Sequence, residues 1–289
     1  MKGMNRPLLE PVPRQTSRSS ATRWPIVAAV GLVLSSTSVL SAAAATTSST
    51  TRPSISITLT DTKVAVPKTI PGGIVDVTMD ARRSKTRAHH LAFFRRNDGV
   101  TMKQVLAAPD ADFDKYVTYQ GGNSSVHAGK SSRVTLDLQP GNYMIADFAD
   151  GPPLFVETVV TAAATPTNAP ATKGTVTMGP GMAFSIPKGF DAAGTWRFTN
   201  PDTMPHEALL IRAHKGTTVV DLVNWAKTPD KPMPADILGG IGALGQGKQG
   251  WVDLGSRPKA GKYYFVCMIP GPDGVAHLAR GMATGFTIS

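Results

Sequence analysis

Cys267 is the only cysteine among 289 residues, and it closes the run Tyr263-Tyr264-Phe265-Val266-Cys267. His277 and Met282 follow it, so a thiol, an imidazole and a thioether fall within sixteen residues, and a further imidazole, His206, lies upstream. Two imidazoles, one thiolate and a weak thioether are the donors that hold a single copper ion in a trigonal site with a distant axial ligand. The chemistry such a set supports is one-electron transfer.

These donors must be carried by elements that shield and converge them. Cys267 ends an apolar strand, where its sulfur is screened from water, and the segment to His277 contains Pro270, Gly271, Pro272 and Gly274, which restrain a ligand arm. His206 has to come from a separate strand laid beside the last one. Its second ring nitrogen needs an acceptor that the spacing does not identify.

The elements themselves come in two copies. His89-His90-Leu91-Ala92-Phe93-Phe94-Arg95 and Gly99 match His206-Glu207-Ala208-Leu209-Leu210-Ile211-Arg212 and Gly216 at an offset of 117. Gly121-Gly122 matches Gly239-Gly240, and Pro140-Gly141-Asn142-Tyr143 matches Ala260-Gly261-Lys262-Tyr263. The pattern is a tandem duplication. Residues 54–161 make one domain and 174–289 the other, with the Ala/Thr/Pro-rich stretch 162–173 as a linker. Short β-branched and aromatic runs separated by Gly, Pro and Asn/Asp turns predict strands at 55–59, 74–79, 91–94, 133–138 and 143–148, and again at 174–178, 195–199, 208–211, 251–254, 263–267 and 285–288. Helical spacing appears only at 102–106 and 219–225. The expectation is an all-β chain of two tandem Greek-key sandwiches, each with one short helix.

The second domain resembles the cupredoxins, the blue-copper family that includes plastocyanin, azurin and the type 1 domains of nitrite reductases. The likeness rests on Asn200-Pro201-Asp202-Thr203-Met204-Pro205-His206 and on the stretch from Gly261 through Cys267 and His277 to Met282. It covers about the last 115 residues. It implies His206, Cys267, His277 and Met282 as ligands of one type 1 copper. The nine residues between Cys267 and His277 make a longer arm than in plastocyanin or azurin, and Glu207 follows His206 where plastocyanin has Asn. In the first domain His89 aligns with His206, but Asp147 stands where Cys267 does, so no complete site is expected there.

Composition narrows the class further. Residues 1–45 run from a basic segment into an uncharged stretch ending in alanines, the pattern of an export signal with a cleavage site near 43–45; residues 46–53 form a Ser/Thr-rich spacer. The location expected is therefore extracytoplasmic, with membrane attachment only if that segment stays uncleaved. Five bases and one acid lie in the signal, so the net charge of +10 falls to about +6 without it. That excess is spread without a basic block, which speaks against nucleic acid. His89, His90 and His127 read as solvated histidines rather than a second metal site. Asp110-Ala111-Asp112-Phe113-Asp114 opens like a calcium loop but lacks the Gly and Glu that complete one.

Catalysis finds little support. Val266 and Met268 flank Cys267 where oxidases of this kind carry histidines to a second copper centre, the six histidines include no His-x-His, and no nucleophile elbow or phosphate-cradling loop occurs. The function expected is an exported electron carrier with an unidentified redox partner, exchanging electrons through an exposed edge of His277 framed by Pro270, Pro272, Val275 and Ala276. A copper-handling protein without redox turnover and a metal-free interaction module are the alternatives.

Overall fold

Strict alternation sets the first strands: in Ser54–Thr60 the side chains of Ile55, Ile57 and Leu59 are buried, and those between them face outward. The computed structural model describes residues 51–148 and 152–289. The expected export segment and most of the spacer lie outside the described residues, as do Ala149, Asp150 and Gly151. The first repeat supplies β1 (Ser54–Thr60), β2 (Lys63–Ala65), β3 (Thr69–Pro71), β4 (Gly73–Asp80), β5 (His89–Arg96), β6 (Val117–Val126), β7 (Ser131–Leu138), β8 (Gly141–Asp147) and β9 (Leu154–Thr161). The second supplies β10 (Thr175–Gly179), β11 (Ala183–Ser185), β12 (Thr195–Asn200), β13 (His206–Ala213), β14 (Ala235–Leu244), β15 (Lys248–Asp253), β16 (Gly261–Val266) and β17 (Ala283–Ile288). Each repeat adds one short helix, α1 (Met102–Ala107) or α2 (Val219–Lys227), so the all-β sandwich with one helix per repeat is what forms. Both helices begin at a reciprocal cap, Thr101 with Gln104 and Thr218 with Asp221.

The strands make two sheets, ordered β11-β10-β12-β15-β7-β4-β1-β2 and β17-β16-β13-β14-β6-β5-β8-β9-β3. One continuous apolar core lies between them and draws on both repeats, including Met79, Leu91 and Leu136 from the first and Phe198, Ile241 and Phe265 from the second. The nine-stranded sheet is also covered on its outer side. There α2 packs Leu222 against Leu209, Ile211, Tyr264 and Val266, and α1 packs Val105 against Ala92, Phe94 and Met144. Burial on both faces is why β13 and β16 read as unbroken apolar runs.

The repeats meet strand to strand. In one sheet β14 pairs antiparallel with β6 and brings Ile241 opposite Asn123, each directly after its matching glycine pair. In the other, β15 pairs with β7 and brings Val252 opposite Val134. Equivalent residues face each other in both sheets, so the join has the self-complementary form of a two-fold interface. Segments 117–126 and 235–244 were not among the strands expected from sequence. Their Gly-Gly pairs depress strand propensity, yet the backbone there needs them: Gly122 (φ 148°) and Gly240 (φ 123°) are in the left-handed region. A Cβ at either would lie 1.9 Å from Leu91 O or 2.0 Å from Ala208 O. Close strand approach, and not local preference, selects glycine.

Candidate metal centre

The register of β13 against β16 pairs Leu209 with Val266 and Leu210 with Phe265, so the start of β13 lies beside the residues just beyond β16. His206 and Cys267 thereby meet at one end of the sandwich, both fully buried. Beyond Cys267 the chain turns back on itself. His277 N–H donates to Ile269 O at 2.9 Å, Leu278 N–H to Cys267 O at 2.7 Å, and Pro270 and Ala276 form an isolated bridge. Gly271 N–H to Val275 O and an Asp273–Arg280 ion pair close the tip. The short 3₁₀ turn His277–Arg280 ends at Gly281, whose positive φ of 100° releases the chain into Met282. Met282 is buried, donates its N–H to His277 O at 2.9 Å and accepts the Cys267 N–H at 3.3 Å.

This hairpin delivers the donors to one point. His206 Nδ1 is 3.1 Å from His277 Nδ1, and Cys267 Sγ is 3.4 Å from His277 Nδ1 and 4.0 Å from His206 Nδ1. Corners of a triangle whose centre is ~2 Å from each, the bond length imidazole and thiolate make to a first-row divalent ion, would be about 3.5 Å apart. The observed edges bracket that value. Among the described residues, these three form the single cluster of ligand-type side chains close enough to share an ion.

The surroundings prepare the donors for a metal. His206 Nε2 lies 3.1 Å from Asp202 Oδ2, so the ring donates its Nε2–H hydrogen bond to the carboxylate and keeps a lone pair on Nδ1. Asp202 is placed by Asn200, whose Oδ1 accepts the Asp202 N–H and whose Nδ2 donates to Met204 O and Leu244 O. Burial lowers the His206 pKa against the pull of Asp202, and burial together with His206 and Arg280 brings His277 down to about 4. Both rings are therefore neutral ligands at neutral pH. Burial and the charge of Glu207 push the Cys267 thiol far above its usual range, so the sulfur ionises only with a cation beside it. Its polar contacts include the Glu207 N–H at 3.5 Å.

Topology and donor set agree. The fold is cupredoxin-like. The His-Cys-His-Met arrangement fits a type 1 copper ion. No family profile matches this sequence, and no curated protein does either. Solved structures similar to this cupredoxin-like chain include auracyanin B (19% identity, 42% of this chain and 93% of that one, TM-score 0.28). They also include the dithionite-reduced auracyanin of Roseiflexus castenholzii (22%, 42% and 99%, TM-score 0.28). A multi-copper oxidase of Pseudomonas thermotolerans is similar too (11%, 83% and 69%, TM-score 0.24).

Two sequence expectations are overturned: His89 is buried at 1% accessible and not solvated, and His277 is not exposed. His277 has no exposed edge: it is 1% accessible, and its Nε2 is enclosed without a hydrogen-bond partner. The loop tip is exposed at Pro270, Pro272 and Val275, but the imidazole itself lies under the protein surface. Sequence reasoning also left Asp202 and Glu207 without roles. The signal for Asp202 was an acid four residues before a ligand histidine on a Pro-bounded loop.

The first repeat fills the matching place with an ion pair. His89 Nδ1 is 2.7 Å and Arg87 Nε 3.4 Å from Asp147 Oδ2. His90 lies 3.2 Å from Glu207, and His127 Nε2 bonds Ile237 O at 2.9 Å, so the three histidines of this repeat have separate partners. In the acidic turn, Asp112 is taken by Lys115 and Asp114 by the Tyr119 hydroxyl.

Proposed function

We propose that this is an exported blue-copper protein that passes single electrons through one type 1 copper, with His206, Cys267 and His277 as its trigonal ligands and Met282 as the weak axial one. The observation that carries the reading is the buried triangle of two imidazole nitrogens and a sulfur, with edges of 3.1, 3.4 and 4.0 Å. Copper bound there would supply a Cu(II)/Cu(I) couple. The chain's part is to hold the geometry constant. Asp202 fixes the His206 ring, the hydrogen-bonded hairpin fixes His277, and burial excludes water, so little rearrangement accompanies a change of charge. An electron would cross the thin layer over His277, with the exposed Pro270, Pro272 and Val275 as the docking face of a redox partner protein. A non-enzymatic role is supported by Val266 and Met268 beside Cys267, which offer no bonded route to a second metal. No helix among the described residues is long and apolar enough to cross a membrane.

The burial of His277 favours a second reading, in which the site stores or delivers Cu(I) without turnover. Stoichiometric Cu(II) added to the signal-free protein separates the two. An intense visible thiolate-to-copper band with narrow hyperfine splitting, lost in Cys267→Ser, is the expected result. A tight Cu(I) complex that never colours would select the second reading, and the absence of either complex would remove the copper assignment.

A further inference from the structure

Glu207 is fully buried and directly follows the ligand residue His206. Its backbone N–H reaches Cys267 Sγ at 3.5 Å, and its Oε1 accepts the Met268 N–H at 2.9 Å. It thus holds both the Cys267 sulfur and the backbone amide that follows it. The other carboxylate oxygen faces across the join between repeats, 3.2 Å from His90 Nε2, in an ion-pair contact rather than an aligned hydrogen bond. His90 is itself held, because its N–H donates to Asp147 Oδ1 at 3.0 Å, and Asp147 is the residue that stands in place of the cysteine in the first repeat. Glu207 and His90 are equivalent positions of the duplication, so the two-fold character of the join is what brings them together.

We infer that His90 is a positioning residue for the metal centre of the opposite repeat: by holding Glu207 it fixes the start of the ligand hairpin and balances the negative charge beside the Cys267 sulfur. The inference rests on the copper reading above. On it, the first repeat is an electrostatic support whose His89–Asp147–Arg87 cluster anchors His90. A buried carboxylate without a partner is costly, and here the partner comes from the other repeat. Burial works to lower the His90 pKa, but the carboxylates of Glu207 and Asp147 outweigh it and raise it.

The experiment compares wild type, His90→Ala, His90→Gln and the double variant His90→Gln/Glu207→Gln, each full length without the signal. In copper-loaded protein the reduction potential is read by redox titration of the visible band. Loss of the cationic partner in His90→Gln should favour Cu(II) and lower the potential, and neutralising both groups in the double variant should return it toward wild type. In metal-free protein, hydrogen exchange of the Met268 amide should quicken in His90→Ala and stay near wild type in His90→Gln, which still offers a donor. A band of wild-type shape with the same potential in all four proteins overturns the charge role. Unchanged Met268 exchange in His90→Ala, or equal acceleration of every amide, overturns the positioning role. If His90→Ala does not fold, His90→Ser takes its place in the exchange arm, where unchanged Met268 exchange overturns the positioning role, and His90→Gln and the double variant carry the potential readout. A wild type with no band removes the copper reading and the charge role with it, whereas the exchange arm still decides whether His90 orders the hairpin.

Discussion

At the scale of single residues, the centre depends on groups that never touch a metal. Asp202 accepts the Nε2–H of His206 at 3.1 Å and so selects the tautomer that presents Nδ1. Asp202→Ala should leave the fold intact and weaken copper binding by roughly 10- to 100-fold in a competitive titration, the usual loss for an orienting carboxylate. The Cys267 thiol, pushed upward by burial and by Glu207, stays protonated across the neutral range, so metal binding must expel one proton. Apparent affinity should therefore rise about tenfold per pH unit through neutrality. It should fall more steeply below about 4, where His277 also takes up a proton. The same ring affects the metal-free fold. Its folded pKa is depressed from 6.5 to about 4, so its contribution to stability is complete above 6.5 and is lost as pH falls toward 4, which denaturation at pH 7 and pH 4.5 will reveal.

At the scale of elements, the glycine pairs in β6 and β14 carry the most specific demand. With backbone oxygens of Leu91 and Ala208 closer than 2.1 Å to any added Cβ, Gly122→Ala and Gly240→Ala require strands to separate. Each should cost ~3 kcal/mol or more in urea denaturation, since neither φ nor space suits an L side chain. Gly99→Ala is the control: its φ of 81° is also left-handed, but nothing lies within 4 Å, so about 1–2 kcal/mol is expected. The ligand hairpin behaves differently from these strands. Its stiffness comes from backbone hydrogen bonds across 269–277 and the Asp273–Arg280 pair, with the prolines as secondary restraints.

At the scale of the molecule, the repeats share two continuous sheets and one core, so neither buries its β6–β7 or β14–β15 side alone. Calorimetry of the signal-free chain should show a single transition for both repeats. Residues 174–289 expressed by themselves would expose the edges of β14 and β15 and should aggregate unless those edges find another partner.

The tandem repeat, the alternating strands around Ile57, Phe198 and Phe265, and the order His206, Cys267, His277, Met282 are properties of the linear chain. They are legible because burial imposes local periodicity and because ligand chemistry restricts residue type. Other features depend on which distant segments become neighbours. Strands β6 and β14 carry glycines that local propensity disfavours, and only pairing across the repeats explains them. Asp202 became an orienting group, and His90 the partner of Glu207, because register and a two-fold join placed atoms from separate segments within about 3 Å. His277 is buried because its hairpin folds inward, whereas its sequence neighbours Pro270, Pro272 and Val275 had suggested an exposed arm. Local pattern determines which face of a strand is apolar; the tertiary structure decides which charge is balanced and which ligand meets solvent, because both depend on contacts made far along the chain.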